Sequence, residues 1–372
     1  MDSPCLPSSG TGKSMSGYLV LETGEIFPGI WHGGKERAGE VVFNTSHSGY
    51  EEIATDPSYM KQIMVMTAPM QGNYGIQDEV WESHRIWIEG FVCVQIQNSI
   101  TDQMWKKRLA EAQIPILAEI DTRSLVLRLR SGGTPWGALV QGESADEAKQ
   151  KATELIKVSR QSDSDWVWQA TRKEVETRAG KRAKGPRIAV LDLGSKENIL
   201  RELSSRSREL IIFPSRTSAE DLLKVKPDGI MLTNGPGDPQ DVKVAVDTVR
   251  ELIGQIPLFG ICMGHQILGL ALGGKTYKMK FGHRGSNHPI QDDLLKEIYM
   301  TSQNHGYAVA EDSLPRDVKV TQRNLNDQSV AGIFSAERKI LGIQYHPEAC
   351  PGPHEARGLF DYFIESMMGF SK

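Results

Sequence analysis

The chain has 372 residues, of which 39% are hydrophobic and 24% charged, and a formal net charge of -4, which describes a globular protein long enough for two domains. No basic block stands out from this balanced charge, which argues against nucleic acid as the main partner. No apolar run reaches the roughly 18 residues of a membrane helix, and the N-terminus lacks a signal-peptide core, so we expect a cytoplasmic protein without a membrane partner.

Residues 1–15 are small and polar and are predicted to form a disordered leader. Within them, residues 10–14 (Gly-Thr-Gly-Lys-Ser) resemble the end of a phosphate-binding loop. Pro7 stands where that loop has its first glycine, and no strand precedes it, so we do not expect phosphate binding. The four cysteines form no Cys-x-x-Cys pair, which predicts free thiols and no metal site.

Residues 16–142 are rich in strand patterns and are predicted to form an N-terminal domain. The apolar segment 18–21 turns through Thr23-Gly24 into segment 25–27, which indicates a β-hairpin. Further strands are predicted at 41–43, 63–66 and 86–94, and helices at 105–112 and 122–130. The polar cluster at 44–50 is interpreted, from the residues alone, as a turn and helix cap.

Residues 143–186 are predicted to be a linker that begins with a helix at 145–158. The charged run 172–187 has few apolar residues and is typical of a solvated connection. From 187 to 372 apolar strands alternate with helices, which predicts βαβ units on a parallel sheet. The strands are predicted at 188–192, 210–213 and 229–232, and the helices at 196–204, 218–224 and 242–253.

The segment 257–268 contains Gly-Ile-Cys-Met-Gly at the end of an apolar run. This pattern is typical of a nucleophile elbow, which would place Cys262 at a helix N-terminus, where a thiolate and an oxyanion are stabilised. The alternative is that Cys262 is a buried small hydrophobic residue between two glycines. A nucleophile also requires a base and a group that orients the base.

Two further segments are candidates for the same site. The glycine-rich loop 233–239 follows a predicted strand and offers backbone N–H groups for an oxyanion hole, although it could also be a plain turn. After the strand at 340–344, His346 and Glu348 stand two residues apart and can be neighbours. A carboxylate beside an imidazole fixes its tautomer, so we assign His346 as the base, although a lone histidine is often structural.

The other histidines fit this role less well. His265 follows Cys262 on the helix and is expected to turn away from the sulfur. His283, His288 and His305 are predicted to lie in loops, without a carboxylate two residues on.

Segments 260–266, 234–239 and 346–348 together resemble the motifs of the triad, or class I, glutamine amidotransferases. Segments 43–52, 55–59 and 120–123 resemble the small subunit of carbamoyl phosphate synthetase, and the whole resemblance spans residues 17–370. It implies an α/β fold with a C-terminal parallel-sheet class I amidotransferase domain and a separate N-terminal β-rich α/β domain.

The resemblance also implies the site residues. The triad would be Cys262, His346 and Glu348, with no metal. L-glutamine would be held by Ser46, Gly235, Gly237, Met263, Gln266, Asn304, Gly306 and Tyr307.

The resemblance further implies a glutaminase subunit that forms a Cys thioester and passes ammonia to a large synthetase subunit. That partner would use ATP, Mg and bicarbonate to make carbamoyl phosphate for arginine and pyrimidine synthesis, while this chain would carry no cofactor. The two subunits would form a heterodimer or a higher oligomer of heterodimers.

Three alternatives remain from the sequence. An amidotransferase subunit for another pathway, such as anthranilate synthesis, would lack segment 44–52 and its domain. A Cys-His hydrolase acting on peptides would work alone. A non-catalytic scaffold would have no need of an intact Cys, His and Glu.

Overall fold

The structure is a computed structural model that describes residues 15–99, 104–161 and 165–371. Apart from Met15, the predicted leader, with its segment 10–14, lies outside the described residues. Within those ranges no helix combines the length and the apolar character needed to cross a bilayer.

The first part of the chain forms a closed barrel of seven strands, counted over the described residues, in the order β1-β2-β8-β6-β4-β3-β9. The neighbouring pairs β3–β4, β4–β6 and β6–β8 are parallel, and the other neighbouring pairs of the barrel are antiparallel. The barrel strands are β1 (Met15–Leu21), β2 (Ile26–Trp31), β3 (Arg37–Asn44), β4 (Gln62–Met66), β6 (Gly90–Val92), β8 (Ile116–Ala118) and β9 (Trp136–Gln141). Strands β5 (Met70–Gln71) and β7 (Gln95–Ile96) form a separate two-stranded parallel sheet.

Alternate residues of these strands point to opposite faces of the sheet. Both faces are covered by other parts of the domain, and both carry apolar side chains. One buried cluster draws on all seven barrel strands and fills the interior, for example with Leu19, Val41 and Ile63. The outer faces pack against helices α1 (Tyr50–Thr55), α2 (Trp105–Glu111) and α4 (Ala145–Arg160). Helix α3 (Thr122–Gly132) instead contributes Leu125 and Leu129 to the interior cluster.

Most of the elements predicted for this part of the chain are confirmed. The hairpin is present, with Val20 opposite Ile26. The predicted strand at 86–94 is wrong in extent, because only Gly90–Val92 pair as a strand there. The N–H of Trp87 instead donates to the carbonyl of Ala54 in helix α1, so the chain approaches the barrel as a buried loop.

The second part of the chain forms a ten-stranded sheet within the described ranges, in the order β10-β12-β11-β13-β14-β19-β18-β17-β15-β16. The run from β12 to β19 is parallel, and the flanking strands are antiparallel. The strands are β10 (Glu176–Ala179), β11 (Arg187–Asp192), β12 (Glu209–Pro214), β13 (Gly229–Leu232), β14 (Leu258–Ile261), β15 (Thr276–Asp292), β16 (Glu297–Val309), β17 (Lys319–Asn324), β18 (Val330–Ser335) and β19 (Ile340–Ile343).

Helices cover both faces of this sheet over two buried apolar clusters, as the predicted βαβ alternation requires. The charged run at 172–187 differs from the expected solvated connection, since Glu176–Ala179 pair with β12 as an edge strand. The helices are α5 (Trp166–Ala170), α6 (Glu197–Arg206), α7 (Ala219–Lys224), α8 (Lys243–Leu252), α9 (Met263–Ala271) and α10 (Gly358–Tyr362), the last continued by a π-helical turn at Phe363–Met367.

The barrel contacts the sheet where the parallel strands end. Asn234, which follows β13, donates from Nδ2 to Asp56 Oδ1 (3.2 Å) and Ser58 Oγ (2.9 Å) of the first domain. The carboxyl ends of β11, β13, β14 and β19 therefore face the N-terminal domain, and ligand sites of open α/β sheets lie at such ends.

Candidate active site

Cys262 occupies a strained turn between strand β14 and helix α9. Its backbone has φ 53° and ψ -102°, outside the conformations that side-chain-bearing residues normally adopt. The flanking glycines make the turn sterically feasible, because a Cβ at Gly260 would lie 2.6 Å from the backbone of Gly264, and one at Gly264 would lie 2.2 Å from the Leu232 carbonyl. The turn therefore has the geometry of the predicted elbow, at the N-terminus of α9.

His346 and Glu348 follow strand β19, which pairs in parallel with β14. Nδ1 of His346 lies 2.6 Å from Oε1 of Glu348, and both side chains are buried. The N–H of Cys262 donates to the carbonyl of Ile343 (2.8 Å), which brings the end of β19 beside the elbow. Nε2 of His346 has no partner at hydrogen-bond geometry among the described residues, but the Cys262 side chain is near enough to act on the imidazole, so Nε2 is placed to exchange a proton with the sulfur or a substrate.

The electrostatics of the pair favour an imidazolium beside a carboxylate. Burial by itself would lower the pKa of His346, but the charge of Glu348 and the interaction with the Cys262 side chain raise it. Burial by itself would raise the pKa of Glu348, but the charges of Lys196 and His346 lower it. The raised pKa of His346 and the lowered pKa of Glu348 both mean that the proton of the pair resides on the imidazole.

Lys196 is a site residue that the sequence analysis did not identify. Its side chain is buried, and Nζ lies 3.1 Å from Oε1 of Glu348 and donates to the carbonyls of Ala349 (2.6 Å) and Cys350 (3.0 Å). These attractions raise the pKa of Lys196 although burial opposes the charged form. Its position after β11, at the carboxyl edge of the predicted sheet, was the available signal.

A cavity of about 260 Å³ opens beside Cys262 between the two domains. Gln266 Nε2 donates to the carbonyl of Tyr307 (2.8 Å), which joins helix α9 to strand β16 across its wall. Sγ of Cys262 lies 3.6 Å from the carbonyl oxygen of Asn304. All the residues predicted to hold glutamine line this cavity except Ser46, namely Gly235, Gly237, Met263, Gln266, Asn304, Gly306 and Tyr307.

Ser46 lines a smaller adjoining cavity together with His346 and Asn304. Its Oγ lies 2.8 Å from Oγ of Ser286 in the other domain. The interpretation of segment 44–50 as a side-chain helix cap is wrong, because α1 begins after Gly49 (φ 89°), and no side chain caps it. The hydroxyls of Thr45 and Ser46 instead contact Asn287 and Ser286 of the second domain.

The first domain also contributes charge that the sequence analysis did not assign. Glu82 is fully buried, and its Oε2 accepts from the N–H of Asn198 (2.9 Å) at the start of α6. Asn198 in turn donates from Nδ2 to the carbonyl of Glu348 (2.5 Å). Burial raises the pKa of Glu82 to about 7, while Lys196 opposes this shift.

The four other histidines that were considered as bases make packing contacts away from the Cys262 sulfur. His283, His288 and His305 lie in strands β15 and β16, so their prediction as loop residues is wrong. The ring of His283 is tilted against that of His288 (4.8 Å between centroids) and edge-on to that of His305 (4.9 Å), and burial lowers the pKa of His288 to about 4. His265 packs against Gly342, and burial lowers its pKa to about 3. In the described part of the chain, no three His, Cys, Asp or Glu side chains are placed to hold a metal ion.

Comparison with known proteins relates both domains to described families. Residues 189–366 match the family Glutamine amidotransferase class-I, and residues 19–139 match the family Carbamoyl-phosphate synthase small chain, CPSase domain. A "Carbamoyl phosphate synthase small chain" of Symbiobacterium thermophilum is 44% identical over 92% of this chain and 96% of its own.

Relatives with similar names come from other lineages. One from Methanopyrus kandleri is 44% identical over 94% of this chain and 98% of its own. A chloroplastic "Carbamoyl phosphate synthase small chain" of Arabidopsis thaliana is 43% identical over 97% of this chain and 88% of its own. The similarity thus spans both domains and nearly the full length.

Proposed function

Because the chain belongs to the carbamoyl phosphate synthase small-chain family, we propose that it hydrolyses L-glutamine at Cys262 and supplies ammonia to a large synthetase subunit. One observation supports this most strongly. The strained Cys262 turn, the glycine loop after β13 and the five other predicted wall residues share one cavity, and the His346–Glu348 pair stands at the adjoining strand end.

In the first half-reaction, the Cys262 thiolate attacks the side-chain carboxamide carbon of glutamine. The oxyanion that forms accepts hydrogen bonds from the N–H of Met263, the first residue of helix α9, and from the Gly235–Gly237 loop. His346 donates its proton to the departing amine, so that ammonia leaves and a thioester remains.

In the second half-reaction, the neutral His346 takes a proton from water, and the hydroxide equivalent attacks the thioester to release glutamate. Glu348 orients the imidazole and stabilises its charged form through the 2.6 Å contact. Lys196 keeps the Glu348 carboxylate ionised despite its burial. Each buried charge in the network thus has an opposite partner.

The ammonia must reach a second site without meeting bulk water, because ammonium is not a nucleophile. We propose that the large subunit receives it in a heterodimer or a higher oligomer of heterodimers. There it would be joined to bicarbonate with ATP and Mg to make carbamoyl phosphate for arginine and pyrimidine synthesis. This chain needs no cofactor for its own step, and we place it in the cytoplasm.

The test is the release of glutamate from glutamine by the purified chain, with and without a large subunit, ATP and bicarbonate. We expect weak activity alone, strong stimulation by the partner, and loss of activity in Cys262→Ser. Cys93→Ala, which changes a buried thiol outside the site, is the matched control and should stay active. Full activity without the partner would indicate a free-standing hydrolase, and activity in Cys262→Ser would exclude the mechanism.

A further inference from the structure

A buried glutamine side chain contacts the sulfur of Cys262 from the neighbouring strand. Gln344 directly follows strand β19 and is 1% exposed, and its Nε2 lies 3.9 Å from Sγ of Cys262. Its backbone N–H donates to the carbonyl of Ala331 in strand β18 (2.9 Å), which fixes the chain at this position. The described residues that line the cavity beside Cys262 do not include Gln344. The amide therefore contacts the sulfur from outside that cavity.

The hydrogen bonds around this amide determine which of its two ends faces the sulfur. The carbonyl of Tyr307 can only accept, and it accepts from Nε2 of Gln266 (2.8 Å). The same Nε2 donates to Oε1 of Gln344 (3.1 Å). Because the oxygen of Gln344 faces Gln266, its NH₂ group faces Sγ of Cys262. A backbone carbonyl thus sets the orientation of both amides, and the sulfur meets a hydrogen-bond donor.

The other groups around the sulfur indicate what such a donor does. Sγ of Cys262 lies 3.6 Å from the carbonyl oxygen of Asn304, an acceptor that favours the protonated thiol over the thiolate. The charged groups that interact with this sulfur are Arg284 in strand β15 and His346 after β19. An N–H donor offsets the effect of the Asn304 carbonyl without bringing a further charge into the buried site.

We propose that the side-chain amide of Gln344 donates a hydrogen bond to the Cys262 thiolate and stabilises this ionised form of the nucleophile. The inference rests on the proposed glutaminase function, in which the proton that leaves Sγ passes to Nε2 of His346. A hydrogen bond to a charged acceptor is stronger than one to a neutral acceptor, so the N–H···S contact gains strength when the proton leaves. The alternative is that the amide only joins helix α9 to strand β19 through Gln266.

The test measures the rate at which iodoacetamide alkylates Cys262 in the full chain, with the modified cysteine identified by mass spectrometry of its peptide. Alkylation requires the thiolate and no bound glutamine, so it reports on the sulfur and not on the predicted substrate contact of Gln266. Gln344→Met removes the donor at nearly the same side-chain volume. We expect it to move the acid limb of the pH–rate profile upward by about one pH unit, a loss of about 10-fold in rate on that limb. The alkaline plateau should stay unchanged, because the thiol is ionised there in both proteins.

A second variant and a control separate the donor from the packing of the amide. Gln344→Asn keeps an amide but shortens the side chain by one methylene, so it should move the acid limb in the same direction, and it decides the question if Gln344→Met does not fold. Gln322→Met is the matched control. Gln322 is also a fully buried glutamine, but its amide bonds Asp292 (3.1 Å) and Thr321 (2.7 Å) instead of the sulfur. It should leave the alkylation profile unchanged.

Three results would overturn the proposal. The first is an acid limb that moves in neither Gln344 variant. The second is a loss of rate that is equal at every pH, which would indicate a change in access to the sulfur. The third is an equal shift in Gln322→Met, which would trace the effect to the loss of any buried amide. A wild type that releases no glutamate from glutamine would instead refute the proposed function, and the alkylation profiles would still decide the role of Gln344.

Discussion

Lys196 lies between the Glu348 carboxylate and the acidic residues that the first domain supplies. Glu348, Glu82 and Asp56 all act on its charge, and its ammonium contacts Glu348 directly. Since burial alone would protonate Glu348, the lysine determines the pH range in which His346 has an ionised partner.

We predict that Lys196→Met raises the pKa of Glu348 and lowers both the activity at acid pH and the stability of the fold. The buried carboxylate would then take up a proton at a higher pH than in wild type, so the acid limb of kcat/KM for glutamine should move upward by about one pH unit or more. Breaking a buried pair also costs roughly 3–5 kcal/mol of unfolding free energy. The checks are a pH–rate profile and urea unfolding.

Lys224→Met is the control, because Lys224 is 60% exposed and pairs with Glu220 and Asp221 on the surface. It should change neither the pH profile nor the urea midpoint. An unshifted acid limb in Lys196→Met would mean that Glu348 does not need the lysine.

The junction of β14 and α9 shows how an element depends on residues without side chains. Helix α9 is apolar and buried, which anchors the turn on the core. The turn brings backbone within contact distance at Gly260 and Gly264, so neither position has room for a Cβ.

We predict that Gly264→Ala displaces the elbow from strand β13. The new methyl would meet the Leu232 carbonyl at 2.2 Å, a backbone atom that cannot turn aside. Overpacking of this kind costs about 1–3 kcal/mol, and a shift of the nucleophile should lower glutaminase activity by at least about 100-fold. Urea unfolding and glutamate release measure the two effects.

Gly358→Ala offers the comparison, because a Cβ there meets only the Leu295 side chain at 3.6 Å, at the first residue of a helix. Its stability and activity should match the wild type. Wild-type activity in Gly264→Ala would show that the close approach is not needed for catalysis.

Across the whole molecule, the two domains share one buried polar interface that includes the site. Asn234, from the loop beside the cavity, is held by Asp56 and Ser58, and Glu82 accepts from the first turn of α6. Glu82 keeps a proton in the folded protein at pH values where an unfolded chain has lost it, because burial raises its pKa to about 7.

Stability should therefore fall as the pH rises from about 4.5 to about 7, since the unfolded state then binds fewer protons. Glu82→Gln removes this pH-dependent contribution to the free energy of unfolding. We predict that the variant gains stability relative to wild type across that window, by about 3 kcal/mol, and keeps a constant difference at higher pH. Urea unfolding at pH 5, 6, 7 and 8 provides the measurement.

Glu79→Gln changes an exposed carboxylate of the same segment and should give no pH-dependent difference. A difference between Glu82→Gln and wild type that is the same at every pH would contradict the assignment of the proton to Glu82.

Local patterns in the sequence determined much of this protein. The βα alternation, the Gly-x-Cys-x-Gly turn and the His-Pro-Glu segment could be identified because periodicity, glycine conformation and short spacing act between neighbouring residues. The predicted extent of strand 86–94 is wrong because it depends on a tertiary contact. The N–H of Trp87 donates to the carbonyl of Ala54, and this hydrogen bond depends on where α1 packs.

Tertiary structure alone decided which charges meet at the site. Glu82 carries no local signal of its role, and the position of Lys196 after β11 indicates only the edge of the sheet, because the partners of both residues lie far away in the chain. Ser46, which was predicted to hold glutamine, lies outside the main cavity and contacts Ser286. The physical reason is that the energy of a buried charge depends on everything packed around it, and packing is set by the whole chain rather than by any segment.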